Sequence, residues 1–289
     1  MLGEPIDLLH GGAERTIGVY LVETELGLAL FDCGPSSCLD ALKKGLAERG
    51  YELSDVRQLL LSHIHLDHAG AAGVLVREHP ELTVWVSEVG APHLVDPSRL
   101  ERSARRLYGD TFDALWGELA PVPEGNVRLA AGRAAGLEVF PAPGHASHHV
   151  CYFDGATLYA GDAAGVRIPP SNSVLPPTPP PDLDLEGWYR TIEEIERHAP
   201  ERLALIHFGV ADDVSRHLTE LRQRLDIWAR RVEEGASEDE FVAAAKADLP
   251  EGEGEAYDRA MPFWQSYQGL KRYWEARADP EASNQTSTS

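Results

Sequence analysis

The sequence predicts an α/β fold followed by an all-helical C-terminal part, and three observations predict it. Short apolar runs bounded by Gly and Pro alternate with amphipathic stretches; these strands and helices come in two successive batches; and from about Asp212 onward only helical periodicity remains. The apolar fraction of 43% and charged fraction of 25%, over 289 residues, belong to a folded globular chain.

Thr16 to Val22 and Leu28 to Phe31 read as strands, the first preceded by Gly11-Gly12 and the second followed by Gly34-Pro35. Ser37, with Asp40 three residues on, opens a helix that Gly50 closes. Val56 to Leu61 reads as a strand buried on both faces, and a helix starts near Ala69. Leu82 to Val86 is the next strand. Pro97 to Leu119 is helical and carries Arg99, Arg102, Arg105, Arg106, Tyr108, Phe112 and Trp116, a basic and aromatic set in an acidic chain. Strand patterns return at Val127 to Ala130, Leu137 to Pro141, Val150 to Phe153 and Thr157 to Ala160. The proline-rich Ile168 to Pro181 can be neither helix nor central strand. Leu185 to His198 is an amphipathic helix, and Leu203 to Ile206 a short strand ending at His207. Ser237 with Glu240 forms a capping box, and a last helix runs from about Glu255 to Arg277. The expected organisation is an α/β domain over 1–212 with a helical insertion at about 88–120, a helical extension over 213–279, and a disordered polar tail over 280–289.

A net charge of −21, from 26 Lys+Arg against 47 Asp+Glu, repels phosphate backbones and anionic lipid. Nucleic acid and membrane are therefore excluded as expected partners, which leaves a small-molecule substrate. Cys33, Cys38 and Cys151 form no CxxC pair and fit a reducing compartment, so a cytoplasmic location is expected. Cys151 sits in the apolar run Val150-Cys151-Tyr152-Phe153 and reads as a buried thiol. No window approaches the roughly 18 apolar residues of a membrane span. A homo-oligomer formed through the C-terminal helices is left open.

The chemistry concentrates at strand ends. His63-Ile64-His65-Leu66-Asp67-His68 puts four metal-ligand side chains directly after a buried strand, at the sheet edge where open α/β sheets place their ligands. On an extended turn His63 and His65 point the same way, while Asp67 and His68 fall on the incoming helical turn, so one segment can serve two neighbouring points. Pro143-Gly144-His145 presents a histidine from a loop; His149 nearby reads as a supporting or packing residue, and His148 has no assigned role. Ala160-Gly161-Asp162 ends a strand on a carboxylate able to bridge two cations, and Leu205-Ile206-His207 ends another on a histidine. A lone Gly-Asp is usually a turn, but four separate strand ends each delivering ligands do not arise readily by accident.

On His63, His65, Asp67 and His68 (an HxHxDH pattern), then His145, Asp162 and His207 in that order, the chain resembles the metallo-β-lactamase-fold hydrolases from about Ile17 to Gly209. The resemblance implies an αββα sandwich of two mixed β-sheets flanked by helices, with two metals at one sheet edge. By the same resemblance His63, His65 and His145 would hold the first metal, Asp67, His68 and His207 the second, and Asp162 would bridge them. Retention of all seven is similar to the glyoxalase-II and lactonase branches. The cofactors so implied are two divalent metal ions, zinc first, with iron or manganese as the other candidates.

The chemistry expected of such a centre is hydrolysis of a thioester, ester or lactone by a metal-bridging hydroxide, with Asp67 orienting it and shuttling its proton. Lactone hydrolases of this family often carry a tyrosine just after the bridging aspartate, where this chain reads Ala163-Ala164-Gly165-Val166. A single iron on His63, His145 and Asp162 would instead resemble the persulfide dioxygenases of the superfamily, and a two-metal clamp also suits a small phosphoester. The 97–119 segment and the proline-rich loop are read as a cap, with Arg105 or Arg106 meeting an anionic substrate group and Tyr108 beside them.

Overall fold

The computed structural model describes residues 3–278. The tail expected to be disordered, 280–289, lies outside the described residues. Among the described residues, twelve strands form two six-stranded sheets. In the first, β1 (Ile6–Asp7), β2 (Gly18–Thr24) and β3 (Gly27–Phe31) pair antiparallel, and β4 (Val56–Leu60), β5 (Thr83–Val86) and β6 (Val127–Leu129) add in parallel. In the second, the order is β12 (Gly209–Ala211), β11 (Arg202–Leu205), β10 (Thr157–Tyr159), β9 (Val150–Phe153), β8 (Leu137–Pro141), β7 (Gly132–Ala134), with only the β10–β11 pair parallel. Both sheets are therefore mixed, as expected.

The sheets face each other across one apolar core. Phe31 of the first packs its ring against Tyr152 and Tyr159 of the second, with centroids 5.9 and 5.4 Å apart. The buried phenols find partners across the gap, as a buried hydroxyl must: Tyr20 donates to the Leu205 carbonyl at 3.0 Å and Tyr152 to the Leu61 carbonyl at 2.9 Å. Helices α1 (Leu39–Glu48) and α3 (Ala72–Glu78) cover the outer face of the first sheet through Leu42, Leu46, Leu75 and Val76. On the second sheet's outer face, α7 (Leu185–His198), α8 (Val214–Glu233) and α9 (Glu238–Ala247) share a single buried cluster with Leu158 and Leu203, including Trp188, Trp228 and Phe241. The C-terminal helices are thus built into the same core as the second sheet. Helix, two sheets and helix stack in four layers, the αββα arrangement.

Several boundaries differ from the sequence reading, each for a local reason. β2 starts at Gly18 because Thr16 has left the sheet and its carbonyl accepts from His207 Nδ1 at 2.5 Å. Arg57 in β4 is exposed, so that strand is buried on both faces only from Gln58 onward. Ser37 does not cap α1; its hydroxyl donates to the Leu115 carbonyl at 2.6 Å, and Ser36 donates to the Glu118 carbonyl at 2.7 Å. These serines anchor the insertion, which consists of α4 (Ala91–Val95), α5 (Ser98–Tyr108) and α6 (Phe112–Trp116). The helix expected over Glu255 to Arg277 is two helices, α10 (Gly254–Ala260) and α11 (Phe263–Ala278), broken at Met261-Pro262 where proline disfavours helical backbone in the residue before it. The Ser237–Glu240 capping box opens α9 as expected. β1, β7 and β12, two or three residues each, are too short for periodicity to reveal.

Candidate metal centre

All seven sequence-predicted ligands converge at one edge of the sandwich, drawn from both sheets. The chain leaves β4 through Leu61 and Ser62 into His63; His65 immediately precedes α2 (Leu66–Ala69), whose single turn carries Asp67 and His68. His145 comes from the β8–β9 connection, Asp162 from just beyond β10, and His207 from the β11–β12 turn. Two glycines make this possible. Gly144 has φ +138°, and a Cβ there would lie 2.4 Å from Trp188 Cβ, so only glycine lets the His145 loop lie on α7. Gly161 has φ +51°, and its Cβ would meet Ser62 Cβ at 2.7 Å, so glycine also brings Asp162 against the first sheet.

The ligand atoms fall into groups. One nitrogen each from His63, His65 and His145 lies within 4.8 Å of the others, and the same holds for the candidate atoms of Asp67, His68 and His207 and, between the two, of His63, His68 and Asp162. His65 Nδ1 is 2.9 Å from both His63 Nε2 and His145 Nε2. Asp162 reaches both groups: Oδ2 lies 3.3 Å from His145 Nε2, and Oδ1 lies 3.4 Å from His68 Nε2 and 3.6 Å from His207 Nε2.

In four of the five histidines the inward nitrogen is selected by what holds the other one. His145 Nδ1 donates to the Pro177 carbonyl at 2.8 Å and His207 Nδ1 to the Thr16 carbonyl, leaving Nε2 free in both. His68 Nδ1 is held by Asp32 Oδ2 at 2.8 Å. Ser62 Oγ donates to Asp32 Oδ2 at 2.7 Å and therefore accepts from His63 Nδ1 at 2.9 Å. Asp32 also accepts the Ser62 backbone N–H at 2.7 Å and is fully buried. Sequence reasoning missed Asp32, although Phe31-Asp32-Cys33-Gly34 repeats the strand-end carboxylate beside glycine that marked Asp162. His149 accepts the Asp162 backbone N–H at 3.2 Å, so it supports the carboxylate's position; His148 Nδ1 accepts from the Ile64 N–H at 3.4 Å.

The electrostatics ask for a cation. Burial, reinforced by neighbouring imidazoles, pushes His63 and His65 well below their ordinary range, and burial also lowers His145, so these rings are neutral lone-pair donors. His68 is driven the other way: burial opposes its charge, but Asp162, Asp67 and Asp32 outweigh it. Burial would likewise raise Asp67 and Asp162, yet the adjoining imidazoles, His68 foremost, hold both well below the carboxylate range. Moreover, His68 Nε2 and Asp162 Oδ1 are buried without a hydrogen bond. Orphaned buried polar atoms are rare and costly, and here they point at the same spot. Five imidazoles and two carboxylates form an N/O donor set suited to zinc, iron or manganese, with ligands at roughly 2.0–2.2 Å in the zinc case. The residues present fit a divalent cation.

Above this floor lies a cavity of about 250 Å³. Residues of the 97–119 segment and of the proline-rich loop line it, among them Leu100, Ala104, Trp116 and Pro177, but Arg105 and Arg106 do not. Arg105 is turned outward, bonded to Glu101 at 2.9 Å and Asp113 at 2.8 Å with its guanidinium 4.1 Å above the Phe112 ring, and Arg106 is exposed. Tyr108 does line it, and burial first, with Asp67 next, pushes its phenol up to about 12. Cys33, Cys38 and Cys151 are free and buried. Among the described residues no helix is long and apolar enough to cross a membrane.

Residues 15–209 match the family model described as the Metallo-beta-lactamase superfamily. The metallo-beta-lactamase fold-containing protein ST1585 of Sulfurisphaera tokodaii is 24% identical over 221 residues, 72% of this chain and 80% of that protein. Its crystal structure superposes with TM-score 0.63 at 19% identity, covering 89% of this chain and 93% of that one. TTHA1623, solved in a di-iron-bound form, superposes with TM-score 0.53 at 24% identity over 71% of this chain and 91% of its own. Hydroxyacylglutathione hydrolase of Salmonella paratyphi A is 30% identical, but only over 36% of this chain and 32% of that enzyme. The family match spans well over half of the sequence and the fold agrees with it, so this chain belongs to the metallo-beta-lactamase superfamily, which includes hydrolases.

Proposed function

We propose that the chain is a metal-dependent hydrolase that cleaves a carbonyl substrate (a thioester, ester or lactone) at a centre of two divalent cations. The observation that carries this reading is the pair of ligand groups with Asp162 reaching both. His63, His65 and His145 would hold one cation, Asp67, His68 and His207 the other, and Asp162 would be shared. Cations held there would lower the pKa of a water molecule and polarise the carbonyl.

The chain's own residues supply the rest. Asp67 is held ionised and lines the cavity, where its carboxylate can orient the attacking water and accept its proton. As the water oxygen bonds to the carbonyl carbon and the acyl C–O or C–S bond breaks, that proton passes to the departing oxygen or sulfur. His145 and His207 are kept facing inward by the Pro177 and Thr16 carbonyls.

A mononuclear-iron reading would leave the Asp67–His68–His207 group without a role. Elemental analysis of protein purified without added metal should give two metals per chain, and a panel of thioesters, esters and lactones should include a substrate. One iron per chain with no turnover on that panel would overturn the hydrolase assignment.

A further inference from the structure

The cavity's chemistry is uneven. Its inner end is the polar ligand cluster; elsewhere its walls are mainly apolar, with Ser103, Gln265 and Ser266 among the polar exceptions. Leu100, Ala104 and Tyr108, at i, i+4 and i+8 of α5, form one wall, Trp116 of α6 another, and Met261 and Pro262, at the α10–α11 break, close the side. Outside the candidate ligands, the one Lys, Arg, Asp or Glu among the lining residues is the exposed Arg259. A thiol carrier such as glutathione, with two carboxylates and an ammonium, would meet little in this chamber to pair its charges.

The polar groups on the α5–α6 wall are few: Ser103, the Trp116 indole N–H, which is buried without a partner among the described residues, and the Tyr108 phenol. Gln265 Nε2 donates to its oxygen at 3.1 Å, and Trp116 stacks edge-on against its ring at 5.1 Å, so the side chain is held from two directions. With the oxygen accepting from Gln265, the phenolic proton is left to donate, and among the described residues it has no acceptor. An unspent donor on the wall of an apolar chamber that opens onto the ligand cluster suits a substrate oxygen.

We infer that the substrate is an uncharged ester or thioester with an apolar acyl chain of medium length, the chain lying against the α5–α6 wall and one substrate oxygen accepting a hydrogen bond from Tyr108. This rests on the hydrolase reading and narrows it.

The test uses the full chain as purified with its metals. Activity is measured on p-nitrophenyl acetate, butyrate, hexanoate and octanoate, and on a hydroxyacylglutathione. In parallel, calorimetry follows binding of butyrate, hexanoate and octanoate. Each buried methylene contributes about fourfold in affinity, so kcat/KM and carboxylate affinity should both climb steeply with chain length and the glutathione thioester should be a poor substrate. Leu107→Gln, at an exposed position on the cavity rim, should reduce the octanoate rate more than the acetate rate. Tyr108→Phe should lower kcat/KM roughly tenfold on every ester while leaving the chain-length slope intact, the signature of one lost hydrogen bond. Flat chain-length dependence in both rate and binding, or preference for the glutathione thioester, would overturn the inference while leaving the hydrolase reading standing. If no ester or thioester here and no lactone of the wider panel turns over, the hydrolase reading fails, and the chamber is judged by binding alone: octanoate at least tenfold tighter than butyrate upholds it, equal affinity sinks it.

Discussion

The floor and the roof of the cavity are made in opposite ways. The floor is polar and largely buried, and four of its five imidazoles are held by a second bond behind them: Asp32 and Ser62 behind His68 and His63, Pro177 behind His145, Thr16 behind His207. The roof is apolar and more exposed, assembled from an insertion, a proline-rich loop and a helix break. It is tied down by a few side-chain bonds: Ser37 to the Leu115 carbonyl, Thr178 Oγ1 to the Ser266 carbonyl at 3.0 Å, and Tyr257 to the Ser173 carbonyl at 2.6 Å. The lesson is that reactivity is specified by over-determined geometry and selectivity by packing, and the two should respond differently to substitution.

The largest effect should come from the floor. Asp162→Ala removes the one carboxylate that reaches both ligand groups, and turnover should fall on the order of a thousandfold with a loss of metal by elemental analysis. Full metal content and near-normal rate in this variant would break the comparison at its root. Next is Asp32→Asn, which keeps the shape but replaces an acceptor-only carboxylate behind His68. Metal affinity, measured by competition with a chelator, should drop about 10- to 100-fold with the fold intact.

A roof substitution should leave metal content alone. Phe112 is fully buried in a small cluster with Leu66 and Ala104. Phe112→Ala should destabilise by about 3 kcal/mol or somewhat less, since the cluster is small, and should raise KM rather than remove metal. Loss of metal here would show that roof and floor are not separable.

The smallest effect concerns the loop's tether. Arg167 bonds both Asp213 and Asn172, and Arg216 donates to Asp213 at 2.6 Å. Partial burial raises the Asp213 carboxyl, but these guanidiniums outweigh it and bring it down to about 2. A carboxyl depressed in the folded state contributes stability above its unfolded pKa, near 4, and loses that contribution as the pH falls through about 2. The difference in Tm between the parent and Asp213→Asn should therefore be present at pH 5 to 7 and shrink between about pH 4 and 2. The groups are partly exposed, so it should correspond to less than about 1 kcal/mol. A gap that widens on acidification would contradict the sign.

The same contrast explains what the sequence disclosed. His63, His65, Asp67 and His68 are legible because four ligands fall within six residues, His145 because Pro143-Gly144 turns the chain before it, Asp162 because it follows Gly161 at a strand end, and His207 because it ends an apolar strand. Asp32 also ends a strand, but its glycine lies two residues on and its partner His68 is 36 residues away, a pairing that only the fold reveals. The roof was misread through composition. Arg99, Arg102, Arg105 and Arg106 drew notice, yet the spacing of Leu100, Ala104 and Tyr108 already set the cavity-facing stripe and left those arginines to the other faces of the helix. The break at Met261-Pro262 was visible as a proline inside a helical pattern, but its consequence, placing Gln265 against Tyr108, depends on tertiary packing that no local pattern encodes.

Four of the seven floor residues follow the first sheet and three follow strands of the second. A cation gripped by both sets would rivet the two halves of the sandwich together at their open edge. Its binding energy would then count directly against unfolding. Chelation should consequently do more than silence the protein: it should lower the melting temperature and make unfolding begin by parting the sandwich at that edge.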